Sequence, residues 1–253
     1  PKELPFLFRN VEEIDHVRAH FMPEFRKGFR DNGYELVGWM EVGFVHMFST
    51  KPVRSMEEMR SRRVWLWQGD PIGQAFFKAS GISPIPLSIV DVYTSLSTGL
   101  IDTAYAPPLG AIALQWFTRV KYMTDVPITY GFGAMLVSNR ALKKVSAEDI
   151  RILKDLADKY SQSLVAKTRR QNVEAIDLIR KEGVEVLSVD PEVSRAFFTV
   201  GRSAWRDGVG DLYPAELLER VEDLLRYDPD DADTSPGTTE APPAARDSGD
   251  PVA

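Results

Sequence analysis

Residues 63–108 read RVWLWQGDP (Arg63 to Pro71), a helical segment, ISPIPL (Ile82 to Leu87), a second helical segment, and IDTAYAPP (Ile101 to Pro108). The apolar runs Val64 to Trp67 and Ile101 to Tyr105 are too short for helices. Each leads into a helix opened by proline, which is how strand ends pass into crossovers. Ligands of open α/β sheets sit at such strand ends. The residues found there are Trp65, Trp67 and Asp70 at the first end, and Tyr105 and Ala106 at the second.

Working outward toward the N-terminus, Asn10 caps a helix running to about Phe29, with Val11, Ile14, Val17, Phe21 and Phe25 near helical spacing, Pro23 as a point of kinking and Asn32-Gly33 as its stop. Tyr34 to Met40 and Phe44 to Ser49 then read as two strands joined by a turn at Glu41 to Gly43. Ser55, with Glu58 three residues later, forms a capping box for one short helical turn. Toward the C-terminus, Pro107 and Pro108 open a helix carrying Ile112, Leu114, Trp116, Phe117 and Val120, followed by a strand from Ala134 to Val137. Ser146 then starts a helical pattern that continues to a glycine stop at Gly183. At 1.5 Å per residue this helix of about 36 residues is roughly 54 Å long, wider than one small lobe, so it should run along two. Val184 to Val189 is a strand, and Glu192 to Trp205 and Pro214 to Arg226 are closing helices. Strands alternating with helices predict an α/β architecture.

The bulk properties narrow the possible chemistry. The chain has 253 residues, is 43% hydrophobic and contains no cysteine, which excludes disulfides, thiolate metal sites and a cysteine nucleophile. No apolar run approaches the ~18 residues of a membrane span. The first residues, PKELPFLFRN, have neither the basic start nor the apolar core of a signal peptide. The net charge of -6 is carried by residues 228–253, where seven acids face one arginine, leaving 30 basic and 30 acidic residues in the rest. That proline-rich acidic tail has too little apolar surface to order itself and is predicted to be disordered. The neutral body lacks the concentrated basic face of a nucleic-acid binder, so nucleic acid is not an expected partner.

In this order of segments, LPFLFRN near the start, Gly43-Phe44, SMEEMRSRRV (Ser55 to Val64), FFKASGISPIPLSIVDVYTSLSTGLIDTAY (Phe76 to Tyr105), FTRVKYMTD (Phe117 to Asp125) and the later SAEDIRILKDLA resemble the DctP-like solute-binding proteins of tripartite ATP-independent periplasmic (TRAP) transporters. The resemblance covers nearly everything from Leu4 to about Tyr227. Its most specific part runs from Ser83 to Asp102, with Pro84, Pro86, Asp91, Val92, Tyr93, Gly99 and Asp102 in the family's pattern. It implies a periplasmic binding protein type II-like fold, with two α/β lobes joined by a hinge and a long bridging helix. Lobe I is expected at 1–42 and 132–171, with its N-terminal part missing, and lobe II at 43–131 and 172–227. It further implies a periplasmic location, a small-molecule solute and the membrane subunits of a TRAP permease as partners, and a monomer.

The resemblance also marks departures. The family's carboxylate-pairing arginine falls at Trp65, a second arginine at Val45, and an assisting asparagine at Ala106, so all three anion-holding groups are absent. Trp65, Trp67 and Tyr105 would instead give an aromatic-lined cleft with Asp70 at its rim, which suits a cation or an amphipathic neutral ligand. Trp65 and Trp67 share one side of an alternating strand, and that side is either cleft or core. Asp70 is a ligand contact or, preferably, the N-cap before Pro71. Ser88 precedes Ile89 at a helix start as a cap, and amides exposed there also hold ligand oxygens.

Other chemistry has little support. His16 and His20 are spaced i, i+4, but without an HExxH pattern or a third ligand they read as a surface pair rather than a metal site. Gly131-Phe132-Gly133 does not extend to GxGxxG, and no nucleophile is paired with a base. No catalytic residue, metal or cofactor is expected. The chain reads as a binding protein that captures a solute and passes it to a permease, with a ligand-sensing or scaffolding protein of the same fold as the alternative.

Overall fold

The computed structural model describes residues 3–225. The segment 228–253 read above as a disordered tail lies outside the described residues, as do positions 226 and 227 of the second expected lobe.

Helix α1 (Val11–Asp31) is capped as expected: the Asn10 side chain accepts from the Glu13 amide, and Ile14, Val17 and Phe21 form its buried face. Strand β1 (Tyr34–Ser49) then runs for 16 residues, without the turn expected at Glu41 to Gly43. Strand β6 (Thr129–Ser138), longer than the Ala134 to Val137 segment expected, pairs antiparallel with Tyr34 to Val45. It takes up the irregular residues as two register shifts, at Leu36/Gly38 and Glu41/Gly43. Gly43 has φ +109°, a conformation that glycine adopts without penalty, so what reads locally as a turn is a bulge inside a continuous strand.

Between these strands the chain forms α2 (Met56–Arg60), β2 (Trp65–Trp67), α3 (Pro71–Ala79), β3 (Ile85–Leu87), α4 (Val92–Thr98), β4 (Thr103–Ala106), α5 (Pro108–Ala113) and β5 (Tyr122–Thr124). The helix expected through Val120 ends early, because Gln115 takes φ +58°; a short 3-10 turn, Trp116–Thr118, follows and still buries Trp116. After β6 come α6 (Asn139–Leu142), α7 (Ala147–Lys181), β7 (Glu185–Leu187), α8 (Pro191–Asp207) and α9 (Ala215–Leu224).

The second half of β1 lies between β4 and β5, both antiparallel to it, and β7 continues the sheet parallel to β5. On the other side, a Val64–Thr103 bridge links β4 to the parallel pair β2 and β3. One face of this sheet is covered by α2, α3 and α8, through Met59, Phe76, Phe77 and Phe197. The opposite face is covered by α4, α5 and the end of α7, through Val92, Leu96, Ala111 and Ile179. A third cluster joins Leu4, Leu7 and Phe8 to α1, β6, α8 and α9.

Helix α7 has 35 residues, close to the expected length, with the Ser146 side chain capping it by accepting from the Asp149 amide. Ser161 abuts Gly38 in the first half of β1, whereas Ile179 belongs to the core beneath α4 and α5. Thus α7 extends along both parts of the molecule, which are also connected by β1 and β6.

Candidate functional site

The ends of β2, β3 and β4 come together at one edge of the larger sheet. Asp70 caps α3, its Oδ1 accepting from the Gly73 amide at 2.8 Å. Its Oδ2 accepts from the Tyr105 hydroxyl at 3.2 Å, and that hydroxyl in turn accepts from the Trp67 amide at 3.0 Å. Desolvation pushes the Tyr105 pKa well above the usual phenol range, and the charge of Asp70 adds to the shift. The hydroxyl therefore keeps its proton and ties the end of β4 to the ends of β2 and α3.

The two tryptophans divide. Trp65 is 3% exposed: its ring stacks on Tyr105 at 4.8 Å and meets Trp116 edge-on at 5.3 Å, while its Nε1 donates to the Leu87 carbonyl at 3.0 Å. Of the two readings of Trp65, cleft or core, its burial fits core, because that face of β2 packs against the α4–α5 layer. Trp67 points the same way, but it stands at the strand's last position and is 55% exposed. Next to it, Ile89 and Val90 follow β3 and are 40% and 77% exposed. Ser88 precedes them without a side-chain capping bond.

Val45 and Ala106 are buried, Val45 in the core beneath α3 and Ala106 beneath α5, so neither side chain faces open space. His46, paired with Ala106 across the sheet, is buried with Nδ1 at 2.9 Å from the Thr124 carbonyl, and burial lowers its pKa to about 4. His16 and His20 are exposed on α1.

Several residues around these strand ends escape sequence reading. Asn172 of α7 donates to the Val42 carbonyl at 2.9 Å and the Thr168 carbonyl at 3.1 Å, and accepts from the Leu109 amide at 3.0 Å. It thereby fixes α7 against β1 and the start of α5. Glu41, whose side chain is fully buried, is held by Arg169 at 2.7 and 2.9 Å and by the Tyr130 hydroxyl at 2.6 Å. Arg169 also clasps Asp15 at 2.8 and 2.9 Å. Burial alone would lower the Arg169 pKa, but its bonds to Asp15 and Glu41 reverse the shift upward. Glu3 accepts from the Phe132 amide at 3.4 Å; its pKa is raised, chiefly by desolvation and further by the charge of Asp70. Apart from Thr168, one helical turn from Asn172, these partners are dozens of residues away, so only a pattern of polar residues at buried helix or strand positions hints at them.

These strand ends thus carry exposed apolar side chains, Trp67, Ile89 and Val90, and a carboxylate, Asp70, held in place by the Gly73 amide and the Tyr105 hydroxyl. Among the described residues, no helix is long and apolar enough to cross a membrane.

The chain is 22% identical over 197 residues to the sialic acid-binding periplasmic protein SiaP of Vibrio cholerae, covering 76% of this chain and 60% of that protein. It superposes with a TM-score of 0.78 on a TRAP periplasmic solute-binding protein from Ochrobactrum anthropi whose C-terminus is bound in its ligand-binding pocket, at 24% identity, covering 89% of this chain and 70% of that one. On DctP7 of Bordetella pertussis, an extracytoplasmic solute receptor binding pyroglutamic acid, the TM-score is 0.80 at 19% identity, over 89% of this chain and 73% of that one. The chain spans 60% of SiaP and 46% of a second curated relative, a protein of Salmonella typhimurium. The fold is thus the two-lobed, type II-like one of these binding proteins. Residues 2–210 match bacterial extracellular solute-binding protein family 7, and the chain belongs to that DctP family.

Proposed function

We propose that this protein is an extracytoplasmic receptor that closes its two lobes around a small organic solute and delivers it to a TRAP-type permease, with no covalent chemistry. The observation that carries this reading is the open wall at the ends of β2, β3 and β4, set beside the two crossing strands. Those crossings are glycine-rich where they face each other: Gly43 pairs with Gly131, and a side chain on Gly131 would overlap Val42. Family membership and relatives that bind sialic acid or pyroglutamic acid support a solute receptor.

In this reading lobe I comprises 1–42 and 132–171 and lobe II comprises 43–131 and 172–227, so that the boundaries fall at the Val42–Gly43 bulge, in β6 and beside Asn172. The solute would meet Trp67, Ile89 and the rim around Ser88, with Asp70 and Tyr105 holding the wall in shape. Trp65, Val45 and Ala106 would act from behind it as packing. The protein would work as a periplasmic monomer without nucleic acid.

The test is a solute library screened by thermal melting, with small-angle scattering on each hit. A solute that raises the melting temperature and also reduces the radius of gyration is expected. Failure of every solute to change either quantity would overturn the proposal.

A further inference from the structure

A cavity of about 350 Å³ lies between α1, the first half of β1 and α7. Gly38 abuts Ser161 of α7, whereas Trp39 stacks on Phe25 of α1, so the two helices cover opposite faces of the strand. Strand β6 pairs with one edge of β1 here and contributes nothing to the lining; among the described residues no strand pairs with the other edge. The cavity thus opens at that edge, and it shares no residue with the ends of β2, β3 and β4.

The direction of each helix places its charges. On α7, Lys154 reaches Glu35, Ser161 meets Gly38 and Arg169 reaches Glu41, so this helix runs parallel to β1 and brings Asp158 beside Leu36 and Val37. On α1, Arg30 reaches Glu35 and Arg18 reaches Glu41, so this helix runs antiparallel and brings Arg26 to the same end. Arg18 is shared with Asp15 and Glu41, two acids that Arg169 completes to a neutral cluster. Arg26 enters no ion pair among the described residues. The bond made to Asp158 comes from a neutral donor, the Gln162 amide nitrogen, at 2.8 Å. A cation and a carboxylate therefore line one space from opposite walls without pairing.

The α7 wall also collects acceptors, since Asp158, Ser161 and Gln162 share one helix face at i, i+3 and i+4. Gln162 keeps its amide oxygen as an acceptor. The Ser161 hydroxyl, in a residue 6% exposed, has no hydrogen-bond partner. A buried hydroxyl without a partner is costly, which points to a polar group that belongs beside it. Between the two walls Met22, Leu36, Val37 and Val165 make the lining apolar.

We infer that this cavity is a second binding site, for a free α-amino acid with an apolar side chain. The ammonium has three protons and donates them to Asp158, Ser161 and Gln162 on α7, while the carboxylate accepts from Arg26 on α1. The side chain lies on the apolar lining. A simple anion or cation would serve one wall only, and a hydrocarbon would leave the Ser161 hydroxyl bare. The site is independent of the receptor reading, because its two walls belong to one lobe and an occupant fastens α1 to α7 without drawing the lobes together.

The test is calorimetric titration of the full chain with L-valine, L-leucine and L-methionine, and with two analogues of leucine: isocaproate, which lacks the ammonium, and isoamylamine, which lacks the carboxylate. Small-angle scattering accompanies each titration. L-Leucine should bind about fivefold or more tighter than either analogue, as expected for the loss of one partly exposed charged contact, and should leave the radius of gyration unchanged. Arg26→Gln and Asp158→Asn should each weaken it by about fivefold or more. Both variants should melt like the parent without ligand, since Arg26 has no ion pair to lose and asparagine keeps an acceptor for Gln162. No heat from any of the three amino acids would overturn the proposal. Equal binding of isocaproate or isoamylamine would overturn the zwitterion assignment. Amino-acid binding that is indifferent to either substitution, or that compacts the molecule, would place the ligand elsewhere and overturn the site.

Discussion

Trp65 and Trp67 stand two residues apart on the same face of one short strand, yet only the second clears the helix layer that covers that face. Their substitutions should therefore separate stability from binding. Trp65→Ala removes a ring packed between Tyr105 and Trp116 and frees the Leu87 carbonyl, and should cost about 3–5 kcal/mol in urea unfolding. Trp67→Ala should change stability by no more than about 0.5 kcal/mol. An arginine at position 65 would not restore a clamp at this rim; it would place an unpaired charge in the core. His46 gives a pH signature of its own. In the unfolded chain it titrates near 6.5, whereas burial holds it neutral in the fold down to about 4. Between those values the unfolded chain binds a proton that the folded one refuses, so stability falls on acidification. At pH 5 this amounts to about 2 kcal/mol. Urea midpoints of the parent and of His46→Leu, compared at pH 7 and pH 5, should show a smaller acid loss in the variant; equal losses would assign the effect to other groups.

At the scale of elements, β1 shows both what the sequence discloses and what it hides. Caps are local, so Asn10, Ser55, Ser146 and Gly183 disclose the helices they bound, and the length of α7 follows from two of them. The break at Glu41 to Gly43 has the composition of a turn, and only the distant partner β6 makes it a bulge. The rim was legible in part: Trp67 and Ile89 stand at it, while Trp65 lies behind it because strand alternation does not reveal which face the helices cover. The buried Glu41 cluster was not legible at all, since it joins α1, β1, β6 and α7. Removing one member should expose its cost. Arg169→Met leaves the Glu41 carboxylate with the Tyr130 hydroxyl and a longer contact to Arg18 at 3.4 Å, and should destabilise the protein by about 3–5 kcal/mol. Adding Glu41→Leu removes the stranded charge, and the double variant should recover much of that loss in denaturant unfolding. A double variant as unstable as the sum of the two singles would mean that the pair does not act as a unit.

At the scale of the whole molecule, binding and closure should be separable, because the wall and the crossing lie in different residues. Gly43 has positive φ and no room for a side chain against Asn172, whose amide already spans Val42 and, through its oxygen, Leu109. A methyl group at position 43 must therefore strain the backbone and push Asn172 away, loosening the contact that fixes α7 against β1 and α5. Gly43→Ala should cost about 1–3 kcal/mol from the backbone strain. It should also alter the lobe arrangement without touching Trp67 or Asp70. Solute-induced reduction in the radius of gyration, measured by small-angle scattering at saturating solute, should shrink in Gly43→Ala. In Trp67→Ala the affinity should fall while the compaction at saturation stays that of the parent. If Gly43→Ala compacted as fully as the parent, the hinge would have to lie elsewhere along β6 or α7. The test thus distinguishes a crossing that sets the amplitude of closure from a wall that sets its affinity.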